Sequence, residues 1–285
     1  MLPHSRRIAL VCNARAGNGK ALAVAAWLET ALTEQAIPYT NFTSEWPGSF
    51  AGYTDVFLCG GDGTLNYFVN HYPDSTLPIA LFKGGTGNDF AWKLYGDIEL
   101  PDQLQLALQA TPKPVDAGRC NNQLFMNGVG IGFDGEVVQA REDHHLEKGR
   151  HGSYKWTVLK YILFYREGYM QLEYDNQVHT GKQFMVSVAN GSRYGNGFMI
   201  APQATVTDGL LNVVAIGKVP PLKRFYYLSK VQKGLHLQYD FVKTKPVKNI
   251  VIRTGRITIA HMDGELIQSQ VFDIEALPGR FLFRY

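Results

Sequence analysis

The chain has 285 residues, a formal net charge of +3, 45% hydrophobic residues and 19% charged residues. That length suits two domains of ordinary size, and that composition is that of a globular enzyme, which excludes a fibrous or disordered chain. The small charge excludes a dedicated nucleic-acid binder, whose basic residues should dominate one face, but permits weak attraction to an anionic surface.

The apolar run over 7–13 follows two arginines and leads into Asn13, Arg15 and Gly17 rather than a small-residue cleavage site, so it reads as a first strand and not a signal peptide. A helix is expected over 20–35, a short strand over 39–43, a buried strand over 56–59 and a helix over 64–71. A strand over 77–82, a short helix over 88–95 and a helix over 102–110 opened by Pro101 complete this half. Strand and helix alternating in this way imply a parallel sheet with helices on both faces, which binds ligands at the carboxyl ends of its strands.

Beyond Pro112 the pattern changes. Strands over 113–121 and 123–132 are expected to form a hairpin through Asn121-Asn122, followed by helices over 135–146 and 154–165. Strands over 169–174, 182–190, 210–216, 247–252, 256–260, 270–275 and 280–285 follow, interrupted by an amphipathic helix over 222–237. The fold expected is therefore an α/β N-terminal domain with a parallel sheet over 1–112, and a β-rich, mostly antiparallel C-terminal sandwich over 113–285. No stretch approaches the ~20 apolar residues of a membrane-spanning helix, so any membrane contact is expected to be peripheral. Cys12, Cys59 and Cys120 lack metal-ligand spacing and read as buried thiols of a reducing cytoplasm.

Two glycine-rich turns carry the chemistry. Gly60, Gly61, Asp62, Gly63 and Thr64 follow a buried strand and open a helix that continues through Leu65 and Asn66. Glycines there bring backbone close to a ligand, and the amides opening the helix favour phosphate. Asp62 repels phosphate unless a cation such as magnesium lies between the two; the alternative is a tight turn in which Asp62 caps a helix. Gly84, Gly85, Thr86, Gly87, Asn88 and Asp89 repeat the arrangement after the next strand. Two such turns on adjacent strands point to one phosphate-sized crevice.

With these turns in place, the sequence resembles the diacylglycerol kinase catalytic-domain superfamily of lipid kinases, which includes bacterial diacylglycerol kinases, YegS-like lipid kinases and sphingosine kinases. Asn13-Ala-Arg-Ala-Gly17 looks like the family's opening Asn-Pro-x-Ser-Gly with alanine in place of proline, and Gly60-Gly-Asp-Gly-Thr64 and Gly85-Thr-Gly-Asn-Asp-Phe90 match its nucleotide loops. Asn127-Gly-Val-Gly-Ile-Gly-Phe-Asp134, Ala189-Asn-Gly191, Ala201-Pro-Gln-Ala204, Asp208-Gly-Leu-Leu211 and Asp263-Gly-Glu265 resemble later blocks in the right order. Gly60-Gly-Asp-Gly-Thr64 alone would also suit NAD kinases and phosphofructokinases; the later blocks single out lipid kinases.

The resemblance implies ATP-dependent transfer of the γ-phosphoryl group to a membrane lipid hydroxyl, with ATP bound by the first domain and lipid by the second. ATP is expected against 60–66 and Thr86, with Thr43, Asn13 and Gly17 as further contacts. Asp263 and Glu265 are two apart, so on an extended segment they would face one cleft, one accepting the hydroxyl proton and one holding magnesium. Spacing alone favours a hairpin turn; the resemblance favours Glu265 or Asp263 as base and leaves the choice open. Asp134 is a further acidic candidate. A second metal is implied at Asp208 with the carbonyls of Thr205 and Leu210, although Thr207 and Asn212 stand where many relatives carry aspartates.

Lys83 stands where relatives often have proline, and reads as solvent-facing or as a charge near the phosphates. Over 220–248, Phe225, Tyr226, Tyr227 and Leu228 mix with Lys223, Arg224, Lys230 and Lys233, which suits an interfacial helix or, by the usual preference for burial, a helix packed on the second domain. The expected setting is the cytoplasm, peripheral at the inner membrane surface, with a homodimer admitted. Diacylglycerol leads as acceptor over phosphatidylglycerol, monoacylglycerol, ceramide or a sphingoid base. An NAD kinase relative and a silent nucleotide- or lipid-binding protein are the competing readings.

Overall fold

The computed structural model describes residues 6–146 and 161–285, which form two compact units. The first comprises residues up to Asp116 together with Pro278–Tyr285, and the second comprises Ala117–Leu277. The expected division near 112 had no place for this return of the chain's end.

In the first unit β1 (Ile8–Cys12) is flanked by β2 (Tyr39–Phe42) and β3 (Asp55–Gly60), and β4 (Ile79–Lys83) lies beyond β3, all parallel. The end of β14 (Glu265–Phe283) adds a parallel neighbour at Phe283↔Ile79. Strands β1 and β3 are buried along their whole length, as continuous apolar runs covered on both faces should be. Alternate residues Ile8, Leu10, Cys12, Phe57, Cys59, Ala80 and Phe82 pack against Ala21, Ala25, Leu28 and Leu32 of α1 (Lys20–Glu34) and Leu104 and Ala107 of α4 (Leu100–Gln109). Between these lie α2 (Asp62–His71), which opens just past the carboxyl end of β3, and α3 (Asp89–Tyr95), which opens after the turn 84–88 that follows β4. The returning tail is pinned by Arg284, whose Nε donates to buried Asp55 at 2.5 Å; Arg6 meets the other oxygen of Asp55 at 3.3 Å.

The second unit is antiparallel. Its sheet runs β12 (Val242–Val247), β11 (Leu211–Ile216), β10 (Met185–Ala189), β7 (Gly128–Gly132) and β13 (Asn249–Met262). β13 changes partners along its length: residues 251–254 pair with β8 (Gly168–Tyr174), which pairs with β9 (Gln177–Gln183), and 260–262 pair with β7. A bulge between Arg253 and Thr258 bends the strand where the change occurs. The enclosed core includes Val129, Ile131, Met170, Leu172, Val186, Val188, Ile252 and Phe272.

Several expected boundaries move for local reasons. Residues 249–252 and 256–260 belong to the single bulged β13, and 270–275 and 280–283 to the single β14, because the run 253–256 and Pro278-Gly279 read as breaks but are a bulge and a traversed kink. The strand expected over 123–132 divides into β6 (Gln123–Phe125) and β7, because the amides of Met126, Asn127 and Gly128 turn to one carboxylate instead of a ladder. The strand over 182–190 divides at Phe184, whose N–H donates to Ile216 O at 2.7 Å. β12 was not expected as a separate strand. The amphipathic helix ends at Gln232, two residues before left-handed Gly234. Helix α5 (Phe133–Leu146) begins two residues earlier than expected. Of the helix expected over 154–165, residues 161–164 are helical, and 154–160 lie outside the described residues. Among the described residues no helix is long and apolar enough to cross a membrane.

Candidate functional site

Three turns of the first unit meet through missing side chains. A Cβ on Gly85 would lie 2.4 Å from the Cα of Gly61, one on Gly60 2.4 Å from the Thr64 side chain, and one on Gly17 2.3 Å from Gly84 O. Gly17 is moreover left-handed, at φ 58°. The turns after β1, β3 and β4 are thus held backbone against backbone, with Gly84 N–H donating to Gly60 O at 2.8 Å. Asn13 ties the first to the second: its Nδ2 donates to Thr64 Oγ1 at 3.1 Å, its N–H to Cys59 O at 3.1 Å, and its Oδ1 accepts Arg15 N–H.

No side chain caps the start of α2. A helix opening without a cap, behind Gly60 and Gly61, presents backbone N–H groups and the positive end of the helix dipole, as a phosphate requires. Asp62 is engaged elsewhere. Its carboxylate accepts Asp89 N–H at 3.0 Å and Phe90 N–H at 2.9 Å, so it caps α3 rather than the helix it opens. Asn88, left-handed at φ 51°, folds its side chain onto Gly85, accepting its N–H and donating to its carbonyl at 2.8 Å each.

Gly87 separates two carboxylates: a Cβ there would come within 3.2 Å of Asp62 Oδ2 and 3.5 Å of Asp89 Oδ2. A hard ion such as magnesium takes carboxylate oxygens of this kind, and these two residues would supply part of its coordination, with phosphate oxygens or water supplying the rest.

The other sequence-derived positions fall as follows. Thr86 is exposed on the second turn, and Gly63 is exposed in the first turn of α2. Leu65 is buried in the core with its N–H bonded to Gly61 O, and Asn66 is buried with its carbonyl accepting Asn70 Nδ2. Thr43 stands just past β2 and donates to Asn41 Oδ1 at 2.6 Å. Lys83 is half-buried, and its Nζ donates to Gly96 O, tying β4 to the end of α3.

In the second unit the separated blocks of the sequence converge. Asp263 and Gly264, at φ 51° and 91°, form the two-residue turn between β13 and β14. The buried Asp263 carboxylate accepts the N–H groups of Met126, Asn127 and Gly128 at 2.7, 2.8 and 2.9 Å. Asn127 O accepts the N–H groups of Asn190 and Gly191, and Asn190 Nδ2 donates to Met126 O at 2.7 Å. Glu265, the first residue of β14, is exposed. The hairpin turn that spacing alone favoured is what forms, and the extended segment on which the two carboxylates would share a face does not: Asp263 turns inward to three amides while Glu265 is exposed.

Beside this turn is a polar cluster that the sequence reading met only in Asp134. Tyr194 donates to Asp134 Oδ2 at 2.5 Å, and buried His261 places its Nε2 3.7 Å from the same oxygen. Burial first, then the charge of Asp134, holds the Tyr194 phenol well above its usual range, so it stays a donor. Gly130, paired with His261 across β7 and β13, makes room: a Cβ there would fall 2.5 Å from Nε2. The period-2 spacing of His261 and Asp263 was the available signal.

The loop proposed for a second metal is plainer. Asp208 and Thr205 are exposed, and Asp208 Oδ1 accepts Leu210 N–H at 3.0 Å in a local turn ahead of β11. Among the described residues no group of three or more His, Cys, Asp or Glu side chains could hold a metal.

Residues 7–120 match the family model of the diacylglycerol kinase catalytic domain, and residues 127–282 that of the YegS C-terminal NAD kinase beta sandwich-like domain. A Pseudomonas putida protein named "Probable lipid kinase YegS-like" is 31% identical over 232 residues, covering 80% of this chain and 76% of that one. Its namesake from Chromohalobacter salexigens is 26% identical over 239 residues, covering 81% and 76%. Among solved structures, a diacylglycerol kinase from Bacillus anthracis superposes with a TM-score of 0.73 at 22% identity, over 99% of this chain and 97% of that one. An NAD kinase from Archaeoglobus fulgidus in complex with ATP gives 0.58 at 15% identity, over 98% and 93%. At these identities the structures speak for the fold alone, which is that of an NAD kinase-like α/β domain followed by a β-sandwich. The sequence matches go further, and the chain belongs to the YegS-like lipid kinases built on the diacylglycerol kinase catalytic domain.

Proposed function

We propose that this lipid kinase transfers the γ-phosphoryl group of ATP to the hydroxyl of diacylglycerol. The observation that carries the phosphoryl-transfer part is the junction of Gly61 with Gly85, which brings the uncapped start of α2 beside the Asp62 and Asp89 carboxylates. Backbone amides at the start of α2 bind the phosphate oxygens, and the bare glycines let the triphosphate approach. Asp62 and Asp89 would hold magnesium, which when bound neutralises charge on the phosphate oxygens.

The acceptor's hydroxyl oxygen forms a bond to the γ-phosphorus as the bond from that phosphorus to the bridging oxygen breaks, and ADP leaves with the electron pair. Glu265 takes the hydroxyl proton. It is preferred over Asp263 because Asp263 already accepts three backbone N–H bonds, whereas Glu265 is exposed. Asp263 instead fixes the turn from which Glu265 projects.

Transfer of labelled γ-phosphate from ATP with magnesium to a panel of membrane lipids, separated by chromatography with NAD as soluble control, tests the reading. Label in diacylglycerol supports it. Label confined to another lipid replaces the acceptor, and label in NAD alone or in nothing removes the proposal.

A further inference from the structure

The helix Pro221–Gln232 has two faces with different fates. Its inner face is fully used: Phe225, Tyr227, Leu228 and Val231 pack on the core around Phe133, Phe184 and Val214, and buried Arg224 bonds Val219 O, Ile162 O, Tyr165 O and Glu167 Oε1. The outer face stands outside that core, with Tyr226 hydrogen-bonded to Tyr239 and Lys230. That face carries Leu222 at 84% exposure and Tyr226 at 55%, one helical turn apart, with Leu235 at 49% beyond the helix end. Lys223 and Lys233 are exposed around them, and Lys230 Nζ lies 5.0 Å from the Tyr226 ring centre. From Lys218 to Tyr239 the chain holds no aspartate or glutamate.

We propose that this outer face docks on an anionic lipid bilayer, with Leu222 and Tyr226 entering the headgroup boundary and Lys223, Lys230 and Lys233 meeting lipid phosphates. Charge complementarity selects this occupant: a single-sign basic rim around apolar tips is what an anionic interface attracts, and tyrosine suits the apolar-to-wet boundary. Nucleic acid would use the lysines but leave Leu222 in water. The purpose of the surface rests on the lipid-kinase reading, since it would hold the enzyme where its substrate is, but its measurement does not.

The test is flotation of the purified full chain, without ATP, on vesicles of phosphatidylcholine alone or mixed with phosphatidylglycerol. The wild type is expected to float with the mixed vesicles, to stay behind with phosphatidylcholine, and to be released by salt. Combined Lys223→Glu, Lys230→Glu and Lys233→Glu should weaken binding on the order of a hundredfold or more. Leu222→Ser with Tyr226→Ser should weaken it by about tenfold, from the apolar area withdrawn from the interface. The same charge change placed on exposed Lys243, Lys245 and Lys248 should leave most of the binding in place. Because all these side chains lie at the surface, thermal unfolding should be nearly unchanged and serves as the folding control. Wild type that fails to float, either helix variant floating like wild type, or a control variant losing as much as the helix variants would overturn the assignment. Failed phosphoryl transfer with intact flotation would instead count against the diacylglycerol reading alone.

Discussion

The carboxylate of Asp62 accepts the backbone N–H of Asp89 at 3.0 Å, so an acidic residue from the turn after β3 starts the helix that follows β4. One side chain is thereby both a cap for α3 and a border of the gap beside Gly87, and the two duties can be separated by experiment.

Asp62→Asn keeps an acceptor oxygen for α3 but removes the charge. It should reduce stability by about 1–2 kcal/mol, the range for weakening a helix cap, while lowering turnover by about a hundredfold or more through lost electrostatic stabilisation. Turnover per folded molecule, measured beside denaturant unfolding, decides the matter. A residue that only caps would leave that turnover intact.

Gly85→Ala inserts a methyl where the Cα of Gly61 stands 2.4 Å away, with backbone on both sides. The two turns must separate, which should cost about 1–3 kcal/mol of stability and weaken ATP binding in calorimetry. Gly48→Ala, with nothing within 4 Å, is the matched control and should stay within about 0.5 kcal/mol of wild type.

The Asp263-Gly264 turn predicts opposite signatures for its two carboxylates. Asp263→Asn exchanges an acceptor for a donor against three amides and should destabilise by about 2–4 kcal/mol. Glu265→Gln, at an exposed position, should leave the melting temperature alone and lower kcat by at least about a hundredfold. Equal kcat in Glu265→Gln and wild type would move the base elsewhere.

Alkaline pH should unfold the protein in a defined order. Burial pushes the Cys120 thiol from 9.0 up to about 12 and the Tyr165 phenol from 10.0 up to about 12. Folded-state values raised above the unfolded ones mean that the unfolded chain releases protons first, so this stability is complete below pH 9 and declines as pH rises toward 12. Cys120→Ala should flatten the first part of that decline in unfolding titrations. An unchanged slope would place the thiol in a more open setting than its burial indicates.

The parallel half of the fold was legible because its strands are continuous apolar runs ending in glycine, and the two glycine turns named themselves by position. The second unit was harder. A strand that switches partners through a bulge, as β13 does at 253–258, looks in sequence like two strands and a turn. The opposed directions of Asp263 and Glu265 depend on a left-handed backbone at Asp263, which an aspartate before glycine permits but does not dictate. His261 and Tyr194 went unseen because their partner, Asp134, is far away along the chain.

The tail Pro278–Tyr285 belongs to the unit formed mostly by the first 116 residues. The parallel sheet is therefore incomplete until a segment made long after β4 is in place, with Phe283 flanking β4 and Arg284 reaching Asp55. A chain cut before Pro278 would hold a nucleotide-loop domain with an open sheet edge and a buried aspartate lacking one of its two arginines, so the integrity of the first unit is tied to residues on the far side of the second.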